Sequence, residues 1–212
     1  MMNFSLKYLH LLKTRFAGLN LTRILDDEDF YQKQVLDSIL PYEQSLEFRS
    51  TVDQFGKVVD VGFGGGFPLL PLAHHCPGVR FLGLEARGKK VEAVRVIAEE
   101  LGIKNAIMEH LRVHDVEFDI PVVVTFKAVG TVSDFLAGVI ATHPDVRVYF
   151  YKGPSFEEKE LPEFQKSLHR LWRIVSNEKL NVPGTEERRL VGFAPKSVPR
   201  GTSNLVKVSQ FF

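Results

Sequence analysis

The segment Val58–Leu72, VVDVGFGGGFPLLPL, constrains the fold more than any other part of the chain. A short apolar run, 57–61, leads into Gly62, Gly64, Gly65 and Gly66, and then into Pro68 and an apolar, helix-like stretch. A strand, a glycine loop and a helix start in that order turn backbone N–H groups and a helix N-terminus toward a nucleotide-like ligand. Gly62 and Gly64 permit a tight turn and close approach of the backbone to that ligand. Pro68 suits a first helical turn, where its missing N–H costs nothing. A dinucleotide fingerprint counted from Gly62 requires glycine at position 67, which is Phe67. No lysine follows as in a triphosphate-binding loop, which argues against a nucleotide triphosphatase.

The rest of the chain supplies a matching frame. After Gly56 the pattern predicts strands over 57–61, 79–85, 106–109, 120–126, 146–151, 171–175 and 190–193. Helices are predicted over 68–75, 89–101 and 132–140, and a charged one from Ser155. In the 89–101 helix Val91, Val94, Ile97, Ala98 and Leu101 share one face, and Gly102 ends it. Strands alternating with helices imply an α/β, Rossmann-like fold with a mainly parallel sheet covered on both faces. Two helices precede it, over 2–17 and 27–40. Gly18 closes the first. The acidic start of the second suits a helix N-terminus, and Pro41 is predicted to stop it. The expected organisation is a short N-terminal helical cap, 1–45, and a sheet domain, 46–212, in one compact unit.

The loop spacing is G-x-G-x-G, with Asp60 two residues before the first glycine. Glu85 ends the second predicted strand, where an acid can accept hydrogen bonds from both hydroxyls of a ribose. This arrangement resembles the first motif of class I S-adenosylmethionine-dependent methyltransferases. The chain is therefore expected to have that fold and to bind S-adenosylmethionine.

Bulk properties remove several alternatives. The 212 residues suit one domain and can bury a real core. A formal net charge of +1 excludes a strongly basic nucleic-acid binder. Charge is nevertheless uneven. Residues 188–212 contain no acid but carry Arg188, Arg189, Lys196, Arg200 and Lys207, and Arg87, Lys89, Lys90 and Arg95 form a second basic group. Each group is either solvated surface or a phosphate contact. The apolar runs are too short for a membrane span, and Lys7, His10 and Lys13 break the N-terminal one, so no signal peptide is expected. One cysteine, Cys76, excludes an internal disulfide and points to a reducing cytoplasm. His110 and His114 are placed at a strand end rather than on a helix, so no metal site is expected. Ser155 and Ser176 lack a G-x-S-x-G elbow, which leaves a hydrolase without support. Trp172 and Tyr151 are assigned to core packing. Phe211-Phe212 is an exposed apolar tail or a docking plug.

Motifs along nearly the whole chain resemble those of the GidB (RsmG) family, bacterial enzymes that methylate N7 of a guanine in 16S ribosomal RNA. Asn20-Leu21-Thr22 and Leu36-Asp37-Ser38 resemble the family's NLT and LLDS. VDVGFGGGFPLLPLA is similar to VDVGSGAGFPGIPLA. Glu85-Ala86-Arg87-Gly88-Lys89-Lys90 resembles DSLGKR, and Leu111-Arg112-Val113-His114 resembles GRAE. Thr125-Phe126-Lys127-Ala128-Val129 resembles TARAV, Lys152-Gly153 the KG after the fifth strand, and Glu187-Arg188-Arg189-Leu190-Val191 the late ERHLV. The family's ending is reduced to Pro199-Arg200-Gly201-Thr202. Gln34, His114 and Lys127 stand where the family has histidine, an acid and arginine.

The resemblance implies cofactor contacts at Gly62, Gly64, Phe67, Glu85, Val113, His114 and Lys127. Phe67 would wall the methionine end, and Val113 and His114 would lie near the adenine. Lys127, Lys152 and Arg188 are the expected catalytic group, near the guanine or its phosphates, where a cation can donate to O6 and orient the base. No general base is needed, because N7 already carries a lone pair. The implied partner is ribosomal RNA or the small ribosomal subunit, met by a cytoplasmic monomer. The three substitutions keep two alternatives open: a divergent paralogue that methylates another RNA or a small molecule, and a non-catalytic RNA-binding protein that retains the fold.

Overall fold

The computed structural model describes residues 1–198 and 204–212. The sequence reading of Pro199, Arg200, Gly201 and Thr202 lies outside the described residues. A seven-stranded sheet forms the centre: β1 (Lys57–Val61), β2 (Arg80–Leu84), β3 (Ala106–Glu109), β5 (Val122–Lys127), β7 (Val146–Lys152), β8 (Trp172–Leu180) and β9 (Arg188–Pro195). Their order is β3-β2-β1-β5-β7-β9-β8. The first five are parallel, and β9 runs antiparallel to both β7 and β8. The chain works outward from β1 to β3 and then returns to β5. The carboxyl ends of β1 and β5 therefore flank the switch point, where such sheets leave a crevice for a ligand.

Alternation along the strands builds two cores. Val58, Phe81, Val123 and Tyr149 face one side, and Val59, Leu82, Val124 and Phe126 face the other. The first side is covered by α5 (Leu69–His75), α6 (Gly88–Glu100) and the N-terminal helices. α6 buries Val91, Val94, Ile97 and Ala98. It closes as predicted at Gly102, whose φ of +71° lets Gly102 N–H reach Glu99 O and Ile103 N–H reach Ala98 O.

The N-terminal region departs from expectation at Pro41. α1 (Met2–Thr14) is followed by one column made of α2 (Asp27–Phe30), a π-helical stretch (Tyr31–Leu36) and α3 (Asp37–Gln44). Asp26 caps the column by accepting from Glu28 N–H and Asp29 N–H, but Pro41 does not stop it. Pro41 is buried in α3, which packs on both α4 (Leu46–Phe55) and α5. That packing outweighs the missing N–H, and propensity yields to tertiary context. α4 was not legible as an element. Ser45 accepts from Phe48 N–H to start it, and Phe48 packs edge-on against Tyr149 of β7.

A second correction concerns the predicted helix over 132–140. Only α7 (Val132–Leu136) is helical, and after Gly138 the chain forms β6 (Ile140–Ala141). A glycine and two β-branched residues favour leaving the helix there. β6 joins β4 (Val116–Phe118) and β10 (Val206–Lys207) in a small parallel sheet. The 155 region begins with a π-helical stretch (Phe156–Glu160) and continues as α8 (Leu161–Ser167). Trp172 and Tyr151 are core residues. Phe211 and Phe212 are partly buried against this chain's own second core, with the Arg80 guanidinium over the Phe212 ring.

Candidate active site

Every sequence-predicted site residue lies at the carboxyl edge of the sheet, around two adjoining cavities. The first, about 570 Å³, is lined by Gly62, Gly64, Phe67, Glu85, Val113, His114 and Lys127 among others. The second, about 380 Å³, is lined by Asp37, Lys127, Lys152 and Arg188 among others. Gln34, Lys127, Ala128 and Val129 belong to both walls. Ala128 holds a left-handed φ of +54° at that shared wall, a conformation a non-glycine residue keeps only where its surroundings enforce it.

The glycine loop is held from below and from the N-terminal side. Asp60, the acid before the loop, is buried and accepts from the Thr125 hydroxyl at 2.9 Å and from Leu69 N–H, in the first turn of α5, at 3.1 Å. Burial pushes its carboxyl up to about 7, against the lowering effect of those hydrogen bonds and of Lys127. A carboxyl raised from 3.8 to about 7 is protonated in the fold and ionised in the unfolded chain at intermediate pH. The fold then binds more protons than the unfolded chain, so stability falls as pH rises through this window. From pH 5 to pH 7 the fall attributable to Asp60 is about 2 kcal/mol. Thermal unfolding across that range should show Asp60→Asn losing less stability than the unsubstituted protein. Parallel profiles would refute this.

Tyr8 was not anticipated as a site residue. Its hydroxyl donates to Gly65 O, and burial keeps it protonated by raising its pKa well above the ordinary phenol value. A side chain at Gly65 would collide with Leu21 O, and one at Gly66 with the Tyr8 hydroxyl. Gly65 and Gly66 thus admit the N-terminal segment rather than a ligand. Tyr8 also stacks on Phe67 at 5.0 Å, while Phe30 meets Phe67 edge-on.

Glu85 accepts from Gly64 N–H at 3.1 Å and from Arg87 N–H at 3.0 Å. A carboxylate offers about four lone-pair sites, so two remain for ligand hydroxyls. Val113 and His114 form a short 3₁₀ turn (Val113–Asp115), with Val113 buried and the His114 ring 3.6 Å from Asp115. His110 bonds Ala86 O. Arg87 and Lys90 reach the first cavity, whereas Arg95 is occupied by Met108 O and Glu92.

In the second cavity Lys127, Lys152 and Arg188 each meet an acid. Lys127 Nζ lies 3.0 Å from Asp37 Oδ2 and 3.4 Å from Gln34 Oε1, and it sits 5.8 Å above the Phe67 ring. Arg188 Nε lies 3.0 Å from the other Asp37 oxygen. Lys152 pairs with Glu160 at 2.8 Å and donates to Gly130 O. Glu160 also accepts from Val132 N–H, so this pair braces the loop that forms the shared wall. Asp37 and Glu160 were given no role from sequence. The LLDS resemblance marked Asp37, but nothing local marked Glu160.

Residues 2–191 match the profile of the GidB family, described as rRNA small subunit methyltransferase G. The chain is 34% identical over 185 residues to ribosomal RNA small subunit methyltransferase G of Ralstonia nicotianae, covering 84% of this chain and 79% of that one. It is 28% identical to the protein of the same name from Clostridium botulinum strain Alaska E43, covering 94% and 87%. Among solved structures, mitomycin 7-O-methyltransferase MmcR superposes with a TM-score of 0.61 at 13% identity, over 90% of this chain and 67% of that chain. Magnesium protoporphyrin IX methyltransferase from Synechocystis PCC 6803, solved with bound SAM, gives 0.55 at 15% identity, over 90% and 96%. These two likenesses establish the class I methyltransferase fold. The chain belongs to the rRNA small subunit methyltransferase G, or GidB, family.

Proposed function

We propose that the chain transfers a methyl group from S-adenosylmethionine to N7 of a guanine in small-subunit ribosomal RNA. The observation that carries this reading is the pair of cavities joined at Lys127. One has an acid and open backbone suited to a nucleoside, and the other has Lys127, Lys152 and Arg188 in its wall.

The first cavity fits the cofactor by its donor set. Glu85 would take the ribose hydroxyls, Val113 and His114 would flank the adenine, and Phe67 would wall the methionine end. A side chain placed at Gly64 would point into open space, with nothing nearer than Gly62 O at 3.8 Å, so the loop leaves room for a ligand. S-adenosylmethionine, when bound there, supplies an electrophilic methyl on a sulfonium. The S–CH₃ bond breaks as the N7–CH₃ bond forms, and the positive charge passes to the base. The protein contributes orientation and exclusion of water. Lys127 stands at the boundary and would donate to guanine O6, turning N7 toward the first cavity. Arg188 would hold the far side, and Lys152 would keep the shared wall in place.

Borohydride reduction and aniline cleavage of ribosomal RNA test the reaction. RNA from cells with the protein should cleave at one guanine that stays intact in cells without it. Identical cleavage would overturn the proposal. Glu85→Gln is expected to weaken S-adenosylmethionine binding by roughly tenfold, through loss of charge-assisted hydrogen bonds. Calorimetric titration would read this, and unchanged affinity would remove Glu85 from the site.

The reading takes the chain as a cytoplasmic monomer. No helix among the described residues is long and apolar enough to cross a membrane. Cys76 is a buried free thiol. Light scattering of the purified chain and fractionation of cells would test both statements.

A further inference from the structure

Asp37 enters the second cavity from an unusual place in a helix. It is the first residue of α3, directly after the π-helical stretch Tyr31–Leu36 that also presents Gln34. A π turn shifts the residues it carries relative to a regular helix, and such turns recur at functional sites. The Asp37 side chain is 7% exposed, and the Lys127 side chain beside it is 8% exposed. Arg188 Nε fixes one Asp37 oxygen, and Lys127 Nζ touches the other.

The order of these groups matches the edge of one base. Lys127 lines both cavities, whereas Asp37 and Arg188 line only the second. Moving away from the cofactor cavity, the wall therefore presents a donor and then an acceptor. Guanine presents N7, then the O6 acceptor, then the N1–H donor. With N7 toward the first cavity, O6 meets the ammonium and N1–H meets the carboxylate. Adenine in the same pose offers its amino group to an ammonium and the lone pair of N1 to a carboxylate, so both contacts fail.

We propose that Asp37 is a specificity-determining residue that accepts the N1–H of the acceptor guanine, and that Lys127 and Asp37 together make the site select guanine over adenine. This rests on the guanine reading above. No existing contact must break to allow it. An ammonium has three donors and a carboxylate about four lone-pair sites, while the two ion pairs and the Gln34 contact use two of each kind.

The test uses small-subunit ribosomal RNA in which the guanine mapped by aniline cleavage is replaced, by splint ligation, with inosine, adenine or 1-methylguanine. Inosine keeps O6, N1–H and N7 and should be methylated within about fivefold of guanine, since the contacts that decide are retained. The 1-methyl base keeps N7 and O6 but has no N1–H, and should lose about 100-fold in kcat/KM, as a site built for a hydrogen bond rejects an analogue lacking it. In Asp37→Ala that guanine to 1-methylguanine ratio should collapse to about fivefold or less, while S-adenosylmethionine affinity, read by calorimetry, is retained. A purely structural role would lower activity on both RNAs and leave the ratio intact. If Asp37→Ala fails to bind the cofactor, the isosteric Asp37→Asn carries the test, and its ratio should fall by about tenfold. Methylation of 1-methylguanine RNA at the guanine rate, or an unchanged ratio in the variant, overturns this inference alone. Absence of 7-methylguanine from the unmodified RNA overturns the function reading and the inference with it.

Discussion

Replacing Gly66 with alanine is expected to destabilise the protein by about 3–5 kcal/mol, combining overpacking with a strained left-handed backbone. Gly66 has a φ of +93°, and its missing side chain is the space occupied by the Tyr8 hydroxyl and, at 3.2 Å, by Leu70. Tyr8 is fully buried and tied to Gly65 O, so it cannot swing away without breaking that bond. The melting temperature should fall by roughly 8–15 °C for a chain of this size. Calorimetric titration with S-adenosylmethionine should give no heat, because the displaced loop carries Gly64 and the contact to Glu85. Gly78→Ala is the control, since nothing lies within 4 Å of its new methyl group. Tyr8→Phe combined with Gly66→Ala removes the colliding hydroxyl and should regain about 1–2 kcal/mol, a coupling expected only for residues in contact. A Gly66→Ala variant that melts with the unsubstituted protein would show that the N-terminal helix does not press on the loop.

The parts of this molecule that could be read from sequence are those whose cause is local. The strand–glycine–helix unit, the Schellman ending at Gly102 and the acid at Glu85 each follow from a few adjacent residues, and the structure has them where they were expected. Pro41 was misread because its fate is set by packing on α4 and α5 rather than by its own chemistry. β4, β6 and β10 have two or three residues each, too few for any periodicity to register. The site divides in the same way. Gly62, Gly64 and Glu85 announce a cofactor within one stretch of chain. The link between Arg188 and Asp37 joins residues 151 positions apart, and the contact of Tyr8 with Gly65 joins residues 57 apart. Pairings of that kind have no local signature. Gly65 alone offered a hint, because it fills a variable position of the G-x-G-x-G spacing; the reason for a glycine there, the close approach of Leu21 O, is non-local.

Lys127→Met is expected to lower kcat/KM for transfer to ribosomal RNA by about 10²–10³-fold, the range seen when an orienting donor is lost from a reacting centre. Methionine keeps most of the length and the apolar stem but removes the charge. Three observations place a large effect at this position. Lys127 ends β5 at the switch point of the sheet, it lines both cavities, and its ammonium lies over Phe67 while pairing with Asp37. Loss of the ammonium removes the donor proposed for O6, so the base can enter but N7 no longer points at the methyl group. The effect should therefore fall mainly on kcat. Asp37 keeps Arg188 as a partner, which limits the destabilisation to about 1–2 kcal/mol, less than for a buried charge left alone. Because Lys127 also lowers the pKa of Asp60, its removal should move the Asp60 titration upward from about 7, and the pH-dependent loss of stability should extend to higher pH. Lys127→Arg retains the charge and supplies the side chain that the family motif carries at this place, so it should stay within about tenfold of the unsubstituted enzyme. Initial rates of 7-methylguanine formation under saturating cofactor separate these outcomes. A Lys127→Met enzyme that retains more than a tenth of the original kcat would move the orienting role to Arg188.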